Sequence, residues 1–212
     1  MKKILLPFLF LGGLLSAAPV NVSFVSGNYY GPYTLNVNGV NVQAMCMDDF
    51  LHVSGGEKWT ANATAANSSN LSQTYLGSGD LGATTRTING TTYSASQVYT
   101  AEVYLFSQLI QPKADTTDIQ QAAWDIMDAN SLKNDKNNTA VQGYITTAFN
   151  NLNFNTQYYT ILSQSGTYSG NSAQEFIVSS TPEPASLALF GSGILAAGLA
   201  RFLRRRKSGA TA

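Results

Sequence analysis

The sequence predicts an α+β fold: a β-rich subdomain built from N- and C-terminal strands, with an inserted block of about three helices. Three observations predict it. Apolar and polar residues alternate and break at turns from Val20 to Trp59. From Tyr93 to Asn151 the apolar spacing becomes helical. Then β-branched and aromatic runs return in QYYTILSQ and SAQEFIVSS. Apolar segments at the two ends frame this ectodomain. They predict a cleaved N-terminal signal helix and a C-terminal transmembrane helix.

The first segment, residues 1–18, reads as a signal peptide. Lys2 and Lys3 form a basic start, Ile4 to Leu15 is a short apolar run, and Ser16, Ala17 and Ala18 are small residues suited to signal peptidase. The ectodomain then spans 19–180. In it, NVSFV and YTLNVNGVNVQAMCMDDF form a hairpin or meander turning at Asn38-Gly39. Thr60 to Thr92 is small and polar, which predicts a long loop with a hairpin at Asn89-Gly90 and no contribution to the core. A first helix carries Val98, Ala101, Val103, Leu105, Phe106 and Leu109 and stops before Pro112. A second opens with a Thr117/Gln120 capping box and has a stripe of Ile119, Ala123, Ile126 and Met127. A third fits Thr139 to Asn151. The two closing strands, joined through SGTYSGN, should pair with the early ones and bring Cys46 near the last strand.

The chain has 12 Lys+Arg and 12 Asp+Glu, a formal charge of zero. The basic residues are concentrated at the ends, however. Between them only Lys58, Arg86, Lys113, Lys133 and Lys136 remain, so the ectodomain is acidic. That argues against nucleic acid or anionic lipid as a partner.

Residues 181–212 carry a second address. Pro182-Glu183-Pro184 precedes an apolar segment, Ala185 to Ala200, which meets Arg201, Arg204, Arg205, Arg206 and Lys207. A membrane-spanning helix needs about 20 apolar residues, and basic flanks stay cytoplasmic. Tripeptide, helix and arginine cluster together resemble the PEP-CTERM sorting signal of Gram-negative bacteria. The resemblance implies processing by an exosortase. It also implies transient attachment to the inner membrane through the C-terminal helix, then delivery to the cell surface or extracellular matrix.

One thiol remains to be explained. Cys46 is the only cysteine in the chain, whereas exported proteins usually pair their cysteines or lack them. Three stretches, Met45-Cys46-Met47-Asp48, Ile119-Gln120-Gln121-Ala122-Ala123-Trp124 and Ala173-Gln174-Glu175-Phe176-Ile177, resemble in order the motifs of thioester domains in bacterial surface adhesins. The resemblance implies a thioester between Cys46 and Gln174, supported by Gln120, Ala122 and Trp124. It implies a covalent adhesin that captures an amine or hydroxyl of a surface protein or polysaccharide, not a turnover enzyme, and one that needs no cofactor.

Two other readings stand beside it. Cys46 as an inert, buried small hydrophobe would leave a passive structural component of the envelope or matrix. A cysteine hydrolase would need His52, the single histidine, as base; an extended chain would hold the two about 20 Å apart. Asp125, Asp128, Asn130 and Asp135 cluster without the spacing of a calcium loop, so no metal site is predicted.

Overall fold

The computed structural model describes residues 19–128, 137–166, 169 and 172–179. The predicted signal peptide, the Pro182-Glu183-Pro184 motif and the C-terminal span lie outside them. Among the described residues no helix is long and apolar enough to cross a membrane.

The strands are β1 (Val20–Gly27), β2 (Tyr33–Val37), β3 (Val40–Cys46), β4 (Lys58–Ala65), β5 (Thr85–Ile88), β6 (Thr91–Ser94), β7 (Tyr159–Gln164) and β8 (Phe176–Ser179). The helices are α1 (Tyr75–Ser78), α2 (Ala95–Leu109), α3 (Thr116–Met127) and α4 (Thr139–Asn150). Six strands close into a barrel in the order β1-β2-β3-β8-β7-β4. The helices are inserted between β4 and β7. The mixture of strands and helices follows the α+β reading, and the β-rich part is a closed barrel.

The expected pairing of early and late strands occurs at β3 and β8, where Cys46 lies opposite Phe176 and Ala44 opposite Val178. Alternation then decides what each side chain meets. Ala44, Cys46, Leu162, Phe176 and Val178 point into the barrel with Val22, Leu35 and Trp59. Met45, Met47, Ile161 and Ile177 point the other way, into the core of the helical block. Both faces of these strands are therefore covered. That is why their sequence is a continuous apolar run rather than a clean alternation.

The β2–β3 turn places Asn38 and Gly39 at φ 49° and 91°, and the β5–β6 turn places Asn89 and Gly90 at 48° and 81°. These left-handed pairs suit two-residue hairpins. Two expectations need correction. The stretch read as a polar loop from Thr60 supplies most of β4, which pairs with both β1 and β7 and buries Ala61 beside Trp59. It also buries Leu71, Tyr75 and Leu76. Single small residues suffice inside a narrow barrel, so β4 carries little hydrophobic signal. The Thr117/Gln120 box does not cap α3: Asp115 does, accepting from the Asp118 N–H at 3.2 Å. Gln120 is thereby released for another partner.

Four acids are buried among the described residues: Asp48, Glu102, Asp125 and Glu175. Glu175 accepts from the Tyr75 N–H and the Tyr99 hydroxyl, both at 2.8 Å, and from the Ser163 hydroxyl. Burial lifts its carboxyl from the usual 4.5 to about 7, and those hydrogen bonds oppose the lift. Burial likewise lifts Asp48 and Glu102 well above the carboxylate range. A carboxyl that holds its proton more tightly when folded contributes most below its unfolded value, near 4.5, and loses that contribution as pH rises through the folded value. The melting temperature is therefore expected to fall between about pH 5 and pH 8. Thermal melts across that range test this, and Glu175→Gln should flatten the slope; a melting temperature that rises with pH would contradict the assignment.

Candidate functional site

Three segments distant in sequence meet where β3 ends. Cys46 is the last residue of β3 and is 0% exposed. Its Sγ–H donates to the Asp48 carbonyl oxygen at 2.8 Å. Gln174 lies just before β8 and is 6% exposed. Its carboxamide Nε2 donates to the same Asp48 oxygen at 2.9 Å. One carbonyl thus gathers the thiol and the carboxamide, holding them within two hydrogen bonds of each other.

The backbone enforces this meeting. The Met47 N–H donates to the Glu175 carbonyl at 2.9 Å, extending the β3–β8 ladder by one step. The Asp48 carboxyl group closes it: Oδ2 accepts from the Glu175 N–H at 2.8 Å and Oδ1 from the Leu51 N–H at 3.2 Å. Asp48 is therefore a clamp between the chain leaving Cys46 and the chain entering β8. The sequence reading missed this role, although an acid embedded in AMCMDDF was the available signal.

Helix α3 supplies the third side. Gln120 is fully buried and donates from Nε2 to the Cys46 carbonyl. Trp124, four residues on and so on the same helix face, is 6% exposed. Ala122 is buried without a side chain long enough to enter the site. From the barrel side the β1–β2 connection covers the tryptophan. Tyr29 meets the Trp124 ring edge-on at 5.3 Å and Tyr30 lies tilted against it at 5.9 Å, while the Tyr33 hydroxyl donates to the Tyr29 carbonyl. Gly31, at φ +63°, permits this close approach; an added Cβ would stand 3.1 Å from Gln120 Oε1.

A cleft of about 320 Å³ opens on this arrangement, lined among others by Tyr29, Tyr33, Asp49, His52, Trp124 and Gln174. Solvent therefore has a route to the carboxamide, while the sulfur is enclosed. Burial, then the nearby Asp48, push the Cys46 thiol well above its usual range. Such a thiol stays protonated, unlike a free thiolate nucleophile. Its hydrogen bond goes to Asp48, and His52 stands exposed on the cleft wall. The Cys–His arrangement of a hydrolase is not formed among the described residues. Nor does any group of acidic, histidine or cysteine side chains among them suit a metal ion; Asn130 and Asp135 lie outside the described residues.

The comparisons with known proteins address the other end of the chain. A family model for the PEP-CTERM protein-sorting motif matches residues 180–207. The chain carries a PEP-CTERM sorting motif. The motif supports export, passage through the membrane and sorting by an exosortase. It contains Pro182-Glu183-Pro184 and the basic residues Arg201, Arg204, Arg205, Arg206 and Lys207. No curated protein and no solved structure matches the chain.

Proposed function

We propose that this exported, exosortase-sorted protein is a covalent adhesin whose ectodomain stores a Cys46–Gln174 thioester. The observation that carries the reading is the shared acceptor. Cys46 Sγ and Gln174 Nε2 both bond to the Asp48 carbonyl, at 2.8 and 2.9 Å. Gln120 steadies the same strand end, as the resemblance to thioester domains implies.

The chemistry balances without a cofactor. Sγ attacks Cδ of Gln174, the S–C bond forms, and the C–N bond breaks. The thiol proton departs with the nitrogen as ammonia. An acceptor amine or hydroxyl then attacks Cδ through the cleft, a C–N or C–O bond forms, and the C–S bond breaks. The acceptor's proton returns to sulfur. A thioester reacts where an amide does not, because thiolate is the better leaving group. The absence of a second cysteine fits the same chemistry, since a neighbouring thiol would exchange with the acyl group.

The passive-component reading draws on one observation, the complete burial of Cys46. Methylamine discriminates the two. A stored thioester takes it up at Gln174, found by peptide mapping; an inert cysteine beside an ordinary glutamine leaves Gln174 unmodified.

A further inference from the structure

Trp124 has a polar atom that no partner in the fold meets in good hydrogen-bond geometry. Its indole Nε1–H is buried and finds no hydrogen-bond partner. Buried donors are almost always paired, so an orphan calls for an explanation. Packing alone does not supply one, because a phenylalanine ring would fill the space beneath Tyr29 and Tyr30 without leaving an N–H unmet.

Its placement supplies one. Trp124 follows Gln120 by one helical turn, and Gln120 already grips the Cys46 carbonyl. The indole walls the same cleft as Gln174. Its N–H lies close enough to Cys46 to favour the thiolate, though outside hydrogen-bond geometry. The Gln174 carboxamide is oriented with its nitrogen toward the Asp48 carbonyl, which turns its oxygen away from that residue. Attack at Cδ, by Sγ or later by an acceptor, converts that oxygen into a tetrahedral oxyanion. A donor without a well-formed hydrogen bond in the ground state stabilises such a charge without first giving up another full bond.

We propose that the Trp124 indole N–H is the oxyanion donor for acyl transfer at Gln174. This rests on the thioester reading and deepens it: Trp124 becomes a catalytic residue that touches the reacting oxygen, beyond its role as packing. The ring is held by Tyr29 and Tyr30 on one side and by α3 on the other, so its aim is set by the fold.

The test compares wild type, Trp124→Phe, and a protein carrying benzothienylalanine at position 124, which keeps the bicyclic shape and exchanges N–H for sulfur. Each is incubated with methylamine, and the rate of adduct formation at Gln174 is followed by mass spectrometry beside a thermal melt. Loss of one oxyanion donor slows such reactions by about 10² to 10³. Both replacements should show that slowing, and the benzothienyl protein should do so with an unchanged melting temperature. If Trp124→Phe fails to fold, the benzothienyl protein decides. Adduct rates within about twofold of wild type would overturn the donor role while leaving the thioester intact. A wild type with no thioester to trap would overturn both.

Discussion

Cys46→Ala is expected to reduce methylamine incorporation at Gln174 to background and to lower stability by several kcal/mol. The first effect is chemical: without sulfur nothing activates the carboxamide, and an amide is inert to amines at neutral pH. The second is topological. A Cys46–Gln174 bond would tie β3 to β8 across a loop that contains β4 to β7 and the four described helices. By the chain-entropy argument used for disulfides, closing a loop of about 100 residues contributes about 4.7 kcal/mol. Loss of the buried sulfur itself adds only the cost of a small cavity. Gln174→Ala should show the same drop, since it removes the same crosslink from the other end. Denaturant unfolding of the three proteins measures it. Equal stabilities for wild type and both variants would show that no crosslink exists.

Asp48→Ala is expected to be the most damaging change that spares both linked residues. It strips acceptors from the Glu175 and Leu51 N–H groups, both bonded to the buried Asp48 carboxyl group. A buried donor left unsatisfied costs about 1–3 kcal/mol, so two of them threaten a marginally stable domain. The change should also slow thioester formation, because the ends of β3 and β8 lose their clamp and the carboxamide drifts from sulfur. Asp48→Asn should recover part of the stability: its oxygen accepts one N–H while its amide group opposes the other. A domain that keeps its stability and full thioester content with alanine at 48 would show that the clamp does no positioning.

The sequence made the large-scale organisation legible because its periodicities are unmixed. Helical spacing from Val98 to Leu109 and the apolar runs around Cys46 and Phe176 point to their elements directly. The Asn-Gly turns marked their hairpins for a conformational reason that acts locally. What was hidden depends on partners far away in the chain. The part of β4 from Thr60 to Ala65 resembles a loop because its inward residue Ala61, packed in the cluster with Phe176 and Leu35, carries only a methyl group. At the site, the three thioester-like stretches gave Cys46, Gln120, Trp124 and Gln174. Asp48 and Glu175 were not singled out, because an acid in an apolar run acquires a role only when another strand delivers its N–H groups. Tyr29 and Tyr30 were equally silent, since their contact is with Trp124, almost 100 positions away in the sequence.

The most direct measurement is the intact mass of the ectodomain purified without added amines. The account predicts a mass lower than that of its sequence by one ammonia, with Cys46→Ala and Gln174→Ala each at full sequence mass. It also predicts that wild-type Cys46 resists alkylation even after unfolding, until hydroxylamine cleaves the bond. A wild type at full sequence mass, with a thiol that alkylates as soon as the protein unfolds, would contradict the thioester and leave Cys46 as a buried core residue.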